Sequence, residues 1–194
     1  MLPEVLRDAE VADDVLALRP DYRALLLVVE DISPGPGDDA SEALLLRAES
    51  TAIALTEDAP VEKIPHVAAW REAYRAFGAK PQRTRNSLEA LLRRAASDGL
   101  PRVNRLTDLY NAISVLHLVP LGGEDLDRYE GAPHLVRAAG DELFDTMAGG
   151  APSTEHPDAG EVVWRDDTGV TCRRWNWRQG RRTQLTDETT SALF

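Results

Sequence analysis

The chain has a single cysteine, Cys172, in 194 residues, so no internal disulfide can form, and a reducing cytoplasmic setting is the expectation. One cysteine and four scattered histidines give no metal-ligand spacing, and neither a metal nor a cofactor is expected. Long apolar runs are missing too. The longest, ALLLVV at Ala24–Val29, is far short of the roughly 20 residues that cross a bilayer. The N-terminus, MLPEVLRDAEVADD, is acidic and lacks the basic start and apolar stretch of a secretory signal. There is no glycine-rich phosphate loop, because GAKPQRTRNS has glycine and lysine at the wrong spacing, and no Gly-x-Ser-x-Gly elbow. Aromatics make up only 6% of the chain, which makes any cluster of them informative.

What the sequence does have is a soluble balance, with 43% hydrophobic and 28% charged residues, and length enough for one domain with a real core. A net charge of −11 argues against nonspecific coating of nucleic acid, and DNA is not an expected partner. The charge is uneven. Residues 1–66 carry 5 basic and 15 acidic side chains, and residues 112–169 carry 3 and 12. Residues 67–111 reverse this with 9 basic and 4 acidic, and residues 170–194 hold 5 and 2. Two basic blocks on an acidic chain would form one basic face if the fold joined them; otherwise they are solvated surface.

Periodicity predicts the elements. YRALLLVVEDI, Tyr22–Ile32, reads as a central strand, and ALLLVV within it as buried. Helical spacing runs from about Ala40 to Leu55, over Ile64–Gly78 with Val67, Trp70, Tyr74 and Phe77 on one face, and over Asn86–Gly99. Asn86 and Glu89 have capping-box spacing. Asn104 can cap a helix to about His117 whose stripe is Leu106, Leu109, Tyr110, Ile113 and Leu116. Beyond Pro120 and the Gly122–Gly123 pair the period becomes two. PHLVRAA, ELFDTM, GEVVWRDD and GVTCRRWNWR read as strands, RDDTG as a hairpin turn, and Ala148–Gly160 as a patternless loop. The layout is mixed α+β, helices on a mixed sheet in a single domain, with residues 1–20 as a loosely attached extension. The sequence stops at SALF within an apolar run, which fits either a short protein or a truncated segment.

Two constellations stand out. Asn104, Asp108 and Asn111, four and three apart, share a helix face, as a cap with a buried network or as the wall of a polar pocket. CRRWNWRQGRR sets two tryptophans and five arginines together. As a strand, it would point Arg173, Trp175 and Trp177 one way and Arg174 and Asn176 the other. Arginine beside tryptophan serves stacking and phosphate contact, and it also serves core packing with arginine stems laid over it. Cys172 reads as a packed thiol and His117 as a residue satisfying helix-end carbonyls. His66, His134 and His156 show no partners in sequence.

On GLPRVNRLTDLYNAISVLHLVPLGGEDLDRYEG, CRRWNWRQGRRTQLTDETTSALF and WREAYRAFGAKPQRTRNSLEALLRR, the chain resembles the B3/B4 tRNA-editing domain of the bacterial phenylalanyl-tRNA synthetase beta subunit, and within it the freestanding members of that family. The resemblance runs from about Tyr22 to Phe194. It implies a mixed α/β domain that hydrolyses a mischarged aminoacyl-tRNA, with tRNA or aminoacyl-tRNA as partner. It matches Asn104, Asp108 and Asn111 to the family's helix. It puts Gly122 where the synthetase has a substrate-binding histidine, and Arg174–Trp177 where the synthetase has a small glycine-rich loop. Under this reading Asn104, Asn111 and Asn176 orient water and ester. Asp108, Gly122, Arg174, Trp175 and Trp177 bind the substrate. Arg83, Arg85, Arg173, Arg178, Arg181 and Arg182 meet phosphates. The alternatives are a noncatalytic module binding RNA or a small ligand, and a small-molecule enzyme on a reused fold.

Overall fold

A computed structural model describes residues 4–194. Residues 1–3, the start of the expected N-terminal extension, lie outside the described residues. In chain order the elements are β1 (Glu10–Val11), α1 (Asp13–Leu18), β2 (Val28–Val29), α2 (Asp39–Asp58), α3 (Pro65–Ala76), α4 (Ser87–Ser97) and α5 (Arg105–His117). Then come β3 (Glu124–Asp125), β4 (His134–Arg137), β5 (Phe144–Ala148), β6 (Ala151–Glu155), β7 (Val162–Arg165), β8 (Val170–Arg173), β9 (Arg178–Gln179) and β10 (Ala192–Leu193). The main sheet runs β1-β4-β7-β8-β9, antiparallel except for the β1–β4 pair. A small sheet runs β2-β10-β3, and β5 pairs with β6. The fold is mixed α+β.

The helices start where their caps dictate. Asp38 accepts from the Ser41 N–H while the Asp38 N–H reaches Ser41 Oγ, a capping box that opens α2. Asn86 accepts from the Glu89 N–H, and Asn104 from the Thr107 N–H. Ser41, Leu45, Ala48 and Ala52 form the buried face of α2, and its small residues admit α5 closely at Ala112 and Val115. Leu88, Leu92 and Ala95 of α4 and Val67 of α3 complete this core. A second core joins α1 and α3 to the sheet through Val15, Ala73, Tyr74, Leu135, Val162 and Trp175. A third, Ala138, Phe144, Val163 and Val170, lies under the β5–β6 hairpin. Glu10–Val11 pair with β4, and Val15 of α1 is fully buried.

Four expectations need correction. Tyr22–Ile32 is no central strand. The strand covers Val28–Val29 at an edge, with Leu27 exchanging backbone hydrogen bonds with Phe194, and Leu25 is 89% exposed. Leucine-rich composition signals a strand without saying whether it has one neighbour or two. Ala148–Gly160 is not patternless, because β5 and β6 meet through Gly149 (φ 58) and Gly150 (φ 83), a two-residue turn needing positive φ at both places. On α5 the expected apolar stripe is not the buried face. Ile113 is 37% exposed, whereas Asp108, Asn111, Ala112, Ser114 and Val115 are buried. The polar members stay inside because they hold chain ends. Asp108 accepts from the Val103 N–H, and Ser114 Oγ donates to Val119 O. Finally, the strand holding the tryptophans stops at Arg173. Arg174 (φ 48) and Trp175 (φ 67) are left-handed, so the alternation expected through Trp177 is broken by a turn.

Candidate functional site: a polar recess beneath the glycine turn

The Trp–Arg segment is mostly occupied with holding the fold. The left-handed turn drives Trp175 inward to 1% exposure, edge-on to Tyr22 at 5.0 Å and Trp70 at 5.5 Å. A ring so enclosed cannot stack on a base. Arg173 is 6% exposed and donates to both carboxylate oxygens of Glu161 at 2.8 and 2.9 Å and to Glu155 at 2.9 Å. Arg174 donates to Glu161 at 3.2 Å and to Thr84 Oγ1, and it stacks on Trp177 at 4.5 Å. Arg178 is tied to Met147 O and Glu155, Arg181 to Asp145, and Arg182 to Asp166 and Arg128 O. The acidic blocks therefore neutralise the basic C-terminal block from within. Arg181 remains exposed while paired, and a further group of exposed cations, Lys80, Arg83 and Arg85, lies in the α3–α4 loop, Arg85 within 3.8 Å of Glu89. The Ser87 N–H bond to Asn176 O and the Arg174–Thr84 contact hold that loop beside the Trp177 turn.

The asparagines divide. Asn104 caps α5 and donates to Leu185 O at 3.3 Å. Asn176 Oδ1 accepts from the Tyr74 hydroxyl at 2.8 Å. Asp108 lines a cleft of about 340 Å³ with Gly37, Asp38, Ser41 and Glu42, where Arg102 is held by Glu42 and Glu49. These three anchor loops. Asn111 is 7% exposed on α5, while the Nδ2 of Asn176 is buried without a hydrogen-bond partner.

Sequence blocks that are far apart meet around β3. Asp125 accepts from Thr189 Oγ1 at 2.8 Å, its N–H donates to Thr183 O, and Leu126 N–H donates to Ser191 O, locking the EDLD turn to the TDET segment. Gln179 Nε2 donates to Gly123 O at 2.5 Å, tying the glycine turn to β9. A Cβ on Gly123 would fall 2.6 Å from the Phe194 ring and 2.7 Å from Leu185, so only glycine passes there unstrained. The exposed Gly122 precedes it.

This packing turns Glu124 into the interior while Asp125 faces the TDET segment. Burial pushes the Glu124 carboxyl up to about 8. The neighbouring Thr171 hydroxyl and Arg182 hold it down, and Asp166 adds to the rise. Burial, then the Glu124 charge, likewise raises the Tyr129 hydroxyl. Burial raises the Cys172 thiol far out of the nucleophilic range, and burial also raises Tyr110 of α5. Glu124, Tyr110, Tyr129 and Cys172 nonetheless each keep some accessible surface. These half-buried polar side chains around β3, beneath the glycine turn, are the candidate site. The Thr171 hydroxyl, on a residue 1% exposed, is buried without a hydrogen-bond partner. A carboxyl raised by burial above its ordinary range, with an unpartnered threonine hydroxyl on β8, is a group suited to handling protons.

Glu124 also couples stability to pH. Its folded-state value lies above the ordinary 4.5, so the native state keeps a proton that the unfolded chain releases. Stability is therefore lost as pH rises through that window. Glu124→Gln has no such proton to keep. The difference in Tm, variant minus wild type, is expected to climb between about pH 5 and about pH 8. A flat difference in paired melts would mean that the carboxyl is hydrated.

Sequence reasoning missed Glu124, Tyr129 and Thr171, and it read Tyr110 only as core. The available signal was the Gly122–Gly123 pair delivering an acidic residue between a helix and a strand. Among the described residues no three His, Cys, Asp or Glu side chains gather as a metal site, and no helix is long and apolar enough to cross a membrane.

The B3/4 domain family profile matches residues 69–194, which takes in α4, α5, the glycine turn and every residue named in the recess. No curated protein matches the chain.

Proposed function

The chain belongs to the B3/4 domain family, and from that premise we propose that it hydrolyses the ester of a mischarged aminoacyl-tRNA, acting in trans in the cytoplasm. The observation that supports this reading is the family match over residues 69–194, which covers a buried, unpartnered Thr171 hydroxyl and a turn narrowed to glycine at Gly123. An aminoacyl ester is already activated. Its hydrolysis needs a placed water and donors to the developing oxyanion rather than a strong nucleophile. That suits a chain whose one thiol stays protonated. Asn111 is the asparagine retained for orienting the ester, and Gly122 leaves room for an amino-acid side chain. Trp177 walls the entrance, and Lys80, Arg83 and Arg85 take the phosphates of the tRNA end.

A noncatalytic module binding the same tRNA end is the second reading. The buried ion pairs of Arg173 and Arg182 favour it, because they withdraw two of the cations expected to meet phosphate.

A nonhydrolysable 3′-aminoacylamido-adenosine tests whether the recess accepts the aminoacyl end. Calorimetry should show binding that Asn111→Ala weakens by roughly tenfold, the loss of one ligand hydrogen bond. No heat at any concentration would remove the tRNA end as the ligand.

A further inference from the structure

We propose that the outer edge of β2 is a self-association surface, on which a second copy of this chain lays its own β2 antiparallel about a two-fold axis at Leu27. This edge lies outside the residues matched to the family and is independent of the ester-hydrolysis reading.

The edge is open on one side. Among the described residues β2 has one ladder partner, β10, and it ends the small sheet. Leu27 and Phe194 exchange both backbone hydrogen bonds, each at 2.8 Å. Successive residues of an antiparallel strand bond to opposite sides, so Leu26, Val28 and Glu30 direct their N–H and C=O groups away from β10. Such a row is a template for another strand, and edges are usually blunted by lysine, proline or a bulge. From Ala24 to Val29 the sequence is ALLLVV, with neither lysine nor proline. Leu25 is 89% and Leu27 53% exposed. Both side chains fall on one face of the strand together with that of Val29.

The edge is complementary to itself. Two copies paired antiparallel about Leu27 set Leu26 opposite Val28, so the outward backbone groups of both strands meet. Leu25 then faces Val29 of the second copy, and Leu27 faces its own equivalent, which covers the exposed leucines with apolar side chains. Arg23 stands opposite Asp31 at both ends. Both of these residues are exposed. Arg23 Nη1 donates to the carbonyls of Pro20 and Tyr22, which holds the guanidinium beside the strand. Asp31, left-handed at φ 55, ends the extended segment, so the ladder closes at the ion pair. The neighbouring registers with matched backbone groups fit worse. Centred on Leu26, they set Asp21 against Asp31, and centred on Val28, they set Arg23 against Ser33 and Asp31 against Leu25. A pairing about a two-fold axis uses the same edge of both copies and closes at a dimer.

The test is the mass of the full chain in solution, followed by sedimentation equilibrium from low micromolar to submillimolar concentration. The wild-type mass should rise from 21.3 kDa towards twice that value. Leu27→Lys sets two ammonium groups against each other at the axis and should weaken the dimer by roughly tenfold or more in Kd. Arg23→Asp and Asp31→Arg each set like charges opposite one another at both ends, and each should weaken it by roughly tenfold. Combining the two charge changes restores opposite charges and should return Kd to within about threefold of wild type. Recovery requires the two positions to meet between copies, because within one copy they stand at opposite ends of the strand. All three positions are exposed, so the variants keep the core, and a melt of each in dilute solution checks this. A wild type that stays at monomer mass throughout, or one that grows past the dimer, overturns the proposal. So does a dimer that Leu27→Lys leaves intact, or a combined charge variant as weak as the single ones.

Discussion

Trp175→Ala is expected to lower the unfolding free energy by about 3–5 kcal/mol, which places it among the most damaging single changes available to this chain. The indole sits at the meeting point of the α1–α3 side and the main sheet, 1% exposed, against Tyr22, Trp70 and Phe77. Removing it deletes buried apolar area, leaves a cavity that four elements would have to collapse around, and breaks three aromatic contacts. Its backbone adds a constraint, because the Trp175 N–H donates to Val162 O at 2.7 Å and its φ is 67. Urea unfolding of the purified variant measures the effect. A loss below about 1 kcal/mol would mean that the ring lies at the surface, as a base-stacking platform would require.

Glu161→Ala is expected to cost about 3–5 kcal/mol, because it strands a buried guanidinium. Glu161 is 4% exposed and Arg173 6%, joined through two hydrogen bonds, and Arg174 leans on the same carboxylate. Glu155, the other acid on Arg173, is itself partly exposed and shared with Arg178, so it compensates poorly. Replacing Glu161 and Arg173 together with leucine and methionine should recover most of the loss, since an apolar pair of similar volume need not be desolvated. Chemical denaturation of the two variants supplies both numbers. If the single change were nearly neutral, Arg173 would be free to turn outward and the phosphate role expected of it from sequence would return.

Both results bear on how much of the molecule its sequence displayed. Helices α2 to α5 were visible through helical periodicity, and Asn86 and Asn104 cap where they were expected to. The RDDTG turn was visible for a similar reason, and Asp166 indeed gathers the N–H groups of Thr168 and Gly169 there. The Trp–Arg segment misled because alternation over CRRWNWR is a strand pattern, and nothing local announces that two non-glycine residues will turn left-handed. Its arginines looked free because their carboxylate partners lie 12 to 36 residues away in sequence. Glu124 was hidden for the opposite reason. It is one of 33 acidic residues, and only the approach of Phe194, Leu185 and β8 makes it different from the rest. Pockets closed by residues distant in sequence have no local signature, whereas caps and turns do.

The proposed ester hydrolysis is measured directly by deacylation. Purified protein is incubated with a panel of correctly and incorrectly charged tRNAs, tyrosine on phenylalanine tRNA among them, and the surviving ester is followed with time. The account predicts faster loss from at least one mischarged species than in the protein-free control, with the correctly charged species spared. Equal loss with and without protein across the panel, while the aminoacylamido-adenosine still binds, would contradict it and make the recess a binding site alone.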